Sequence, residues 1–191
     1  MADSLRERKK NQTKLALQTA AVRLFNEKGY AATSVEDIAA AADVSRRTFF
    51  RYFGSKEGVL FADADDSGRR IAEGLLSQPK DKPALKAFGD VIVALAEAVE
   101  EEDQVLAQQR VLSSSFELRS RAAELSRVWK RHLADALAQR EGRPKATDRD
   151  LLVAAIGIAV VQSVLEEWVL SDGRERLVDK LRAGFDLVTD L

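Results

Sequence analysis

The chain has 191 residues, 46% of them hydrophobic and 32% charged, with a net charge of −1 at pH 7 and no cysteine. That length can bury a core without covalent staples, and the missing cysteines exclude disulfides and thiolate metal sites. No apolar run approaches the ~18 residues of a membrane span, and no signal-type apolar stretch follows the charged start, so a cytoplasmic protein without a membrane partner is expected.

The near-neutral total conceals an asymmetry. Residues 1–56 hold 11 Lys/Arg against 6 Asp/Glu, which leaves 19 against 25 for the rest of the chain. A basic head on an acidic body suits a nucleic-acid reader with a separate second function.

The sequence is rich in Ala, Leu, Glu and Arg, and its prolines stand only at 79, 83 and 144. This predicts an all-α fold of about nine helices. The first runs to Lys28, with Leu15, Ala16, Ala20, Leu24 and Phe25 along one side, and Gly29 ends it. The second follows Thr33-Ser34, where Thr33 with Glu36 and Ser34 with Asp37 both have capping-box spacing. The third starts at Ser45 as N-cap and reaches Phe53. After Gly54-Ser55 a fourth helix runs from near Lys56 to Ser77, and Pro79 to Pro83 form a linker. Further helices are expected over 84–101, 103–112 and 116–140. Another, capped by Thr147, reaches Leu170, and the last follows the Ser171-Asp172-Gly173 turn. The natural division is 1–55 and 56–191.

The first three helices have the dimensions of a helix-turn-helix module. Val44 in the turn points inward, and Phe49 and Phe53, four apart, share the core face of the third helix. The opposite face then carries Arg46, Arg47, Thr48, Phe50, Arg51 and Tyr52, with Ser45 at its start. Arginine can clasp guanine O6 and N7 in the major groove, and threonine can touch a thymine methyl. Thr33, Ser34 and Lys56 stand at helix starts, where backbone N–H groups attract phosphate. Ser4 to Lys14 would form an arm or an extension of the first helix near the DNA backbone or minor groove.

Residues 33–60, TSVEDIAAAADVSRRTFFRYFGSKEGVL, preceded by AAVRLFNEKGY, closely resemble the DNA-binding signature of the tetracycline-repressor (TetR) family. The resemblance implies double-stranded operator DNA as partner and places the contacts on Thr33, Ser34, Arg46, Arg47, Thr48, Phe50, Arg51, Tyr52 and Lys56. Many members have tyrosine where this chain has Phe50, which has no hydroxyl for a phosphate, so stacking or thymine-methyl contact is expected there. It also implies a homodimer built on the last two helices, a ligand cavity among the fourth to seventh, and repression relieved by ligand. The segments RVLSSSFELRSRAAELSRVWKRHLADALAQREG and EEWVLSDGRERLVDKLRAGFDLV further resemble the mycofactocin-associated subgroup. That likeness implies an acyl-CoA effector, with Arg119, Arg121 and Arg127 as phosphate partners.

The long helix ending at Leu170 is apolar on most sides, and a second copy is the simplest cover for it. Leu152, Ile156, Val160 and Val164, with Leu181 and Phe185 of the last helix, are the expected interface, and Ala154, Gly157 and Ala159 would allow close approach. Phe88, Ile92, Gln109, Leu112, Phe116 and Trp129 are the candidates for holding a mainly apolar effector. No catalytic residue can be named. The single histidine, His132, has no metal-ligand or nucleophile partner in spacing, and no phosphate-binding glycine loop exists. An enzyme is therefore not expected, nor a metal or cofactor. The competing reading is an architectural protein that binds DNA without sequence preference, and it would need basic residues spread beyond the head.

Overall fold

The computed structural model describes residues 2–99 and 102–189. Among these every regular element is a helix: α1 (Ala2–Lys28), α2 (Val35–Ala41), α3 (Arg46–Tyr52), α4 (Gly58–Phe61), α5 (Ala64–Ser77), α6 (Ala84–Glu97), α7 (Glu102–Ser113), α8 (Phe116–Arg140), α9 (Asp148–Leu170) and α10 (Leu177–Thr189). The helix expected from Lys56 to Ser77 is divided in two by a turn at Ala62-Asp63. The helix expected to reach Glu101 ends at Glu97, and Glu101 itself lies outside the described residues.

The chain forms two compact units. The first comprises the residues up to Asp63 together with Arg110–Arg119, and the second comprises Ala64–Gln109 and Ser120 onward. In the first, α1 buries Leu17, Ala20, Ala21, Leu24 and Phe25. Leu15 and Ala16, expected on that side, are exposed, because the buried stripe starts one step further round the helix. Ile38, Ala39, Phe49, Phe53, Val59 and Leu60 complete this core, joined by Val111 and Leu118 from the α7–α8 corner. Phe49 and Phe53 pack ring on ring at 5.3 Å.

The second unit is centred on α6, whose Ala87, Phe88, Val91 and Ile92 are buried and which packs against α5, α9 and α10. Helix α9 has the length and hydropathy of a membrane span, although no unbroken apolar run of that length lies within it. Its inner face packs as core instead: Ala154 and Gly157 are buried, and a Cβ on Gly157 would lie 2.7 Å from the Phe88 ring. Gly157 thus admits an aromatic ring of its own subunit rather than a partner helix, and Ala154 is buried in the same core. Asp150, 1% exposed, anchors the first turn of α9 by closing a capping box with Thr147. Arg143 meets it with two hydrogen bonds of 2.6 and 2.7 Å, which with the Thr147 bonds hold its carboxyl well below the usual carboxylate range despite burial.

Candidate DNA interface

The helix-turn-helix is assembled by short-range bonds that the sequence encodes locally. Ser34 caps α2, accepting from the Asp37 N–H at 3.0 Å, and the Asp37 carboxylate accepts from the Ser34 N–H at 2.9 Å. Hydrogen bonds from Ser34, with Lys28 nearby, hold the Asp37 carboxyl below its ordinary pKa. Of the two overlapping capping pairs, Ser34 and Asp37 form the box. The turn after α2 is a Schellman motif: Val44 N–H donates to Ala39 O at 2.9 Å and Asp43 N–H to Ala40 O at 3.1 Å. Asp43 takes the left-handed conformation there, with φ 53°. Ser45 then caps α3, accepting from the Thr48 N–H at 3.1 Å, and the two hydroxyls are 3.0 Å apart.

Capping and core packing together fix the face that α3 turns outward. Phe49 and Phe53 are 0% and 3% exposed, whereas Phe50 is 43% exposed beside Arg46, Arg47 and Arg51. The Arg46 guanidinium lies 5.5 Å above the Phe50 ring and pairs with Glu36 at 2.9 Å. Arg51 stacks on the Tyr52 ring at 5.3 Å. Arg47 has no hydrogen bond or ion pair among the described residues, so its full fork of donors is available. Ser34 and Ser45 are exposed and Thr48 and Tyr52 half-buried on or beside this surface.

Two predicted contacts are reassigned. Thr33 is 2% exposed, and its hydroxyl donates to Leu24 O at 3.2 Å and Gly29 O at 2.9 Å. It locks the loop after α1 to that helix's carbonyl end and presents nothing to a ligand outside. The Lys56 ammonium donates to Tyr30 O at 2.7 Å and Thr33 O at 3.1 Å and sits 4.1 Å above the Tyr30 ring. Two of its three N–H groups are thus used within the head. Tyr30 in turn donates to Glu57 at 3.3 Å, and burial, with Glu57 and Glu117 nearby, pushes its phenol well above the usual range.

The six effector candidates divide between the units. Leu112 and Phe116 belong to the first, and Phe116 is 78% exposed because it opens α8 on the side away from Leu118. It is therefore not a pocket-lining group. Phe88 and Ile92 are core of the second unit, Phe88 lying 5.8 Å from the Phe185 ring, and Gln109 is half-buried. Trp129 differs: its buried indole N–H has no partner, and it faces Gly68, where a Cβ would stand 3.0 Å from Nε1.

The expected interface residues also separate. Leu181 and Phe185 are 3% and 4% exposed inside their own subunit, so they are not surface groups. Val160 and Val164 are half-buried against Gly184 of α10. Leu152 is 61% exposed and Ile156 half-exposed. Leu170 and Leu187, at 73% and 69% exposed, were not singled out from the sequence. Leu177, Leu181, Phe185 and Val188 recur at helical spacing, and Leu187 lies off it, which is the signal that it points the other way.

The model of tetR-family bacterial regulatory proteins matches residues 17–62, and that of the MftR C-terminal domain matches residues 82–191. The chain is 27% identical to the mycofactocin biosynthesis transcriptional regulator MftR of Mycobacterium tuberculosis, over 95% of this chain and 91% of that one. It is 30% identical to the HTH-type transcriptional regulator TcmR of Streptomyces glaucescens, over 97% and 85%. In fold it is similar to the transcriptional regulator FadR of Bacillus subtilis, solved in complex with stearoyl-CoA, with TM-score 0.63 at 23% identity, covering 91% of this chain and 96% of that one. The chain therefore belongs to the tetR family of DNA-binding bacterial transcriptional regulators and ends in a C-terminal domain of the MftR type.

Proposed function

We propose that this chain is a homodimeric, cytoplasmic repressor that holds a palindromic operator through α3 and releases it when a mainly apolar molecule, an acyl-CoA in the first instance, enters the second unit. The observation that carries the DNA half is the division of α3 and its C-cap: Phe49 and Phe53 buried, three arginines and Phe50 turned out. Arg46 and Arg47 suit base edges, Arg51 and Tyr52 suit backbone, and Phe50 suits sugar or a thymine methyl. The glutamate paired with Arg46 is exposed, and such a pair yields readily to a phosphate or base.

The effector half rests on the unpartnered Trp129 N–H within a largely apolar bundle, which calls for an acceptor such as a thioester carbonyl. The stearoyl-CoA of the B. subtilis FadR structure supports that ligand class. Arg119 donates to Ser113 O at 2.6 Å and Arg121 pairs with Glu124 at 2.9 Å. Arg127 is then the exposed cation of that trio without a partner among the described residues. A second copy would cover Leu152, Ile156 and Leu187, which the single chain leaves out.

Selection of duplexes from a random pool with the full chain tests the reading. Enrichment of a palindrome is expected, its half-sites about 34–36 Å apart or a small multiple of that. Stearoyl-CoA should then release the enriched duplex in a gel shift. A pool without enrichment overturns the regulator reading. Enrichment with no release by acyl-CoAs or other apolar compounds that stabilise the protein removes the sensor half alone.

A further inference from the structure

We infer that the N-terminal part of α1 and the C-terminal end of α3 form a second DNA-contacting surface, a groove that takes the sugar–phosphate backbone flanking the major-groove half-site. The inference rests on the regulator reading above and adds to it a site that lies largely outside the family match. That match begins at residue 17, whereas α1 is helical from Ala2.

Between these two helices runs a groove of about 600 Å³ lined by Glu7, Lys9, Lys10, Thr13, Arg51 and Tyr52. Three cations, one acid and two hydroxyl-bearing side chains suit a polyanion, whereas a site for a small apolar ligand would be lined mainly by apolar groups. Arg51 and Tyr52 tie the groove to the outward face of α3, so a duplex seated on that face has its backbone beside it. The Lys9 ammonium has no hydrogen bond or ion pair among the described residues. Lys10 faces Glu7 at 3.8 Å with both side chains about 60% exposed, a contact weak enough to yield to phosphate. Thr13 donates its hydroxyl to Lys9 O at 3.0 Å, which leaves it an acceptor and places the recognition on the cations.

The extension is also held in place rather than hung from the head. One turn beyond the groove, Lys14 and Gln18 donate to Asp63, Gln18 at 2.6 Å. Those bonds outweigh burial and keep the Asp63 carboxyl below its ordinary pKa, so the anchor is charged at neutral pH. With α1 fixed at that point, Lys9 and Lys10 are presented at a constant offset from α3, as contact with a rod of regular phosphates requires.

The test uses the full chain and the palindrome enriched by selection, as long duplexes and as duplexes trimmed of their flanking base pairs. Wild type is expected to lose affinity on trimming. The double variant Lys9→Ala/Lys10→Ala should bind long duplexes roughly tenfold or more weakly at 0.1 M salt, be indifferent to trimming, and lower the salt slope by about 2. Glu7→Gln should act in the opposite direction, tightening binding to long duplexes. Alanine is a strong helix former, so the double variant keeps α1, and an unchanged unfolding temperature confirms it. If affinity and slope are the same in wild type and both variants while the palindrome is still selected, the groove is not a DNA site and the regulator reading stands. If wild type selects no sequence at all, both fall.

Discussion

At the scale of single residues, two cations with the same formal charge have different work. Arg47 is free and outward, so Arg47→Ala should leave the unfolding temperature unchanged and cost about 1–3 kcal/mol of discrimination at one base position. Competition binding with single-base operator variants checks this, and a uniform loss across all sequences would contradict it. Lys56 is a strut between the loop after α1 and the start of α4. Lys56→Ala should lower the stability of the head by about 1–3 kcal/mol through two charge-assisted bonds. Urea unfolding should detect that loss, where a pure phosphate contact would show only in the salt dependence of DNA binding. The sequence supports the outward role of Arg47 because the Phe49 to Phe53 spacing, four residues from α3 to its C-cap, marks the inner face locally. It does not disclose the strut, because the acceptors of Lys56 are backbone carbonyls 23 and 26 residues upstream. Thr33 is hidden for the same reason: its hydroxyl is satisfied by carbonyls at the end of α1. A third prediction belongs to Asp150, whose pKa is lowered in the fold mainly by Arg143. A lowered folded value stabilises above the ordinary pKa of 3.8 and loses that contribution as pH falls below it. The melting-temperature gap between wild type and Asp150→Asn should therefore be widest at neutral pH and close towards pH 2.

At the scale of elements, the α2–α3 turn is the most locally determined part of the molecule. Its angle depends on Asp43 holding φ 53°, a conformation that aspartate tolerates and β-branched residues do not. Asp43→Val should cost about 1–2 kcal/mol in thermal unfolding, and DNA binding should survive at temperatures where the head remains folded. The turn residues were legible because caps and breakers are short-range devices. The faces of α9 and α10 were legible only as apolar stripes. A stripe reads the same whether it covers its own core or a second copy, and that is why the sequence suggests Leu181 and Phe185 for a partner although α6 receives them. The glycines at 89 and 157, which leave room for the Phe185 and Phe88 rings, settle the matter in three dimensions and leave no mark on helical periodicity.

At the scale of the whole molecule, the remaining exposed leucines bear on assembly. Leu152→Glu with Leu187→Glu should shift sedimentation from a dimer to a monomer while leaving far-ultraviolet circular dichroism intact, since neither side chain is part of the core. A species of unchanged mass would move the interface elsewhere. The two-unit division has its own consequence for anyone transplanting this head onto another sensor. Leu118 is 0% exposed within the first unit, whose longer stretch runs only to Asp63. A chimera that takes residues 1–63 alone gives up about 2–3 kcal/mol of burial from that leucine, and Val111 goes with it. Exchange between relatives should succeed when the stretch 110–119 travels with the head, so the portable cassette of this protein is discontinuous in sequence.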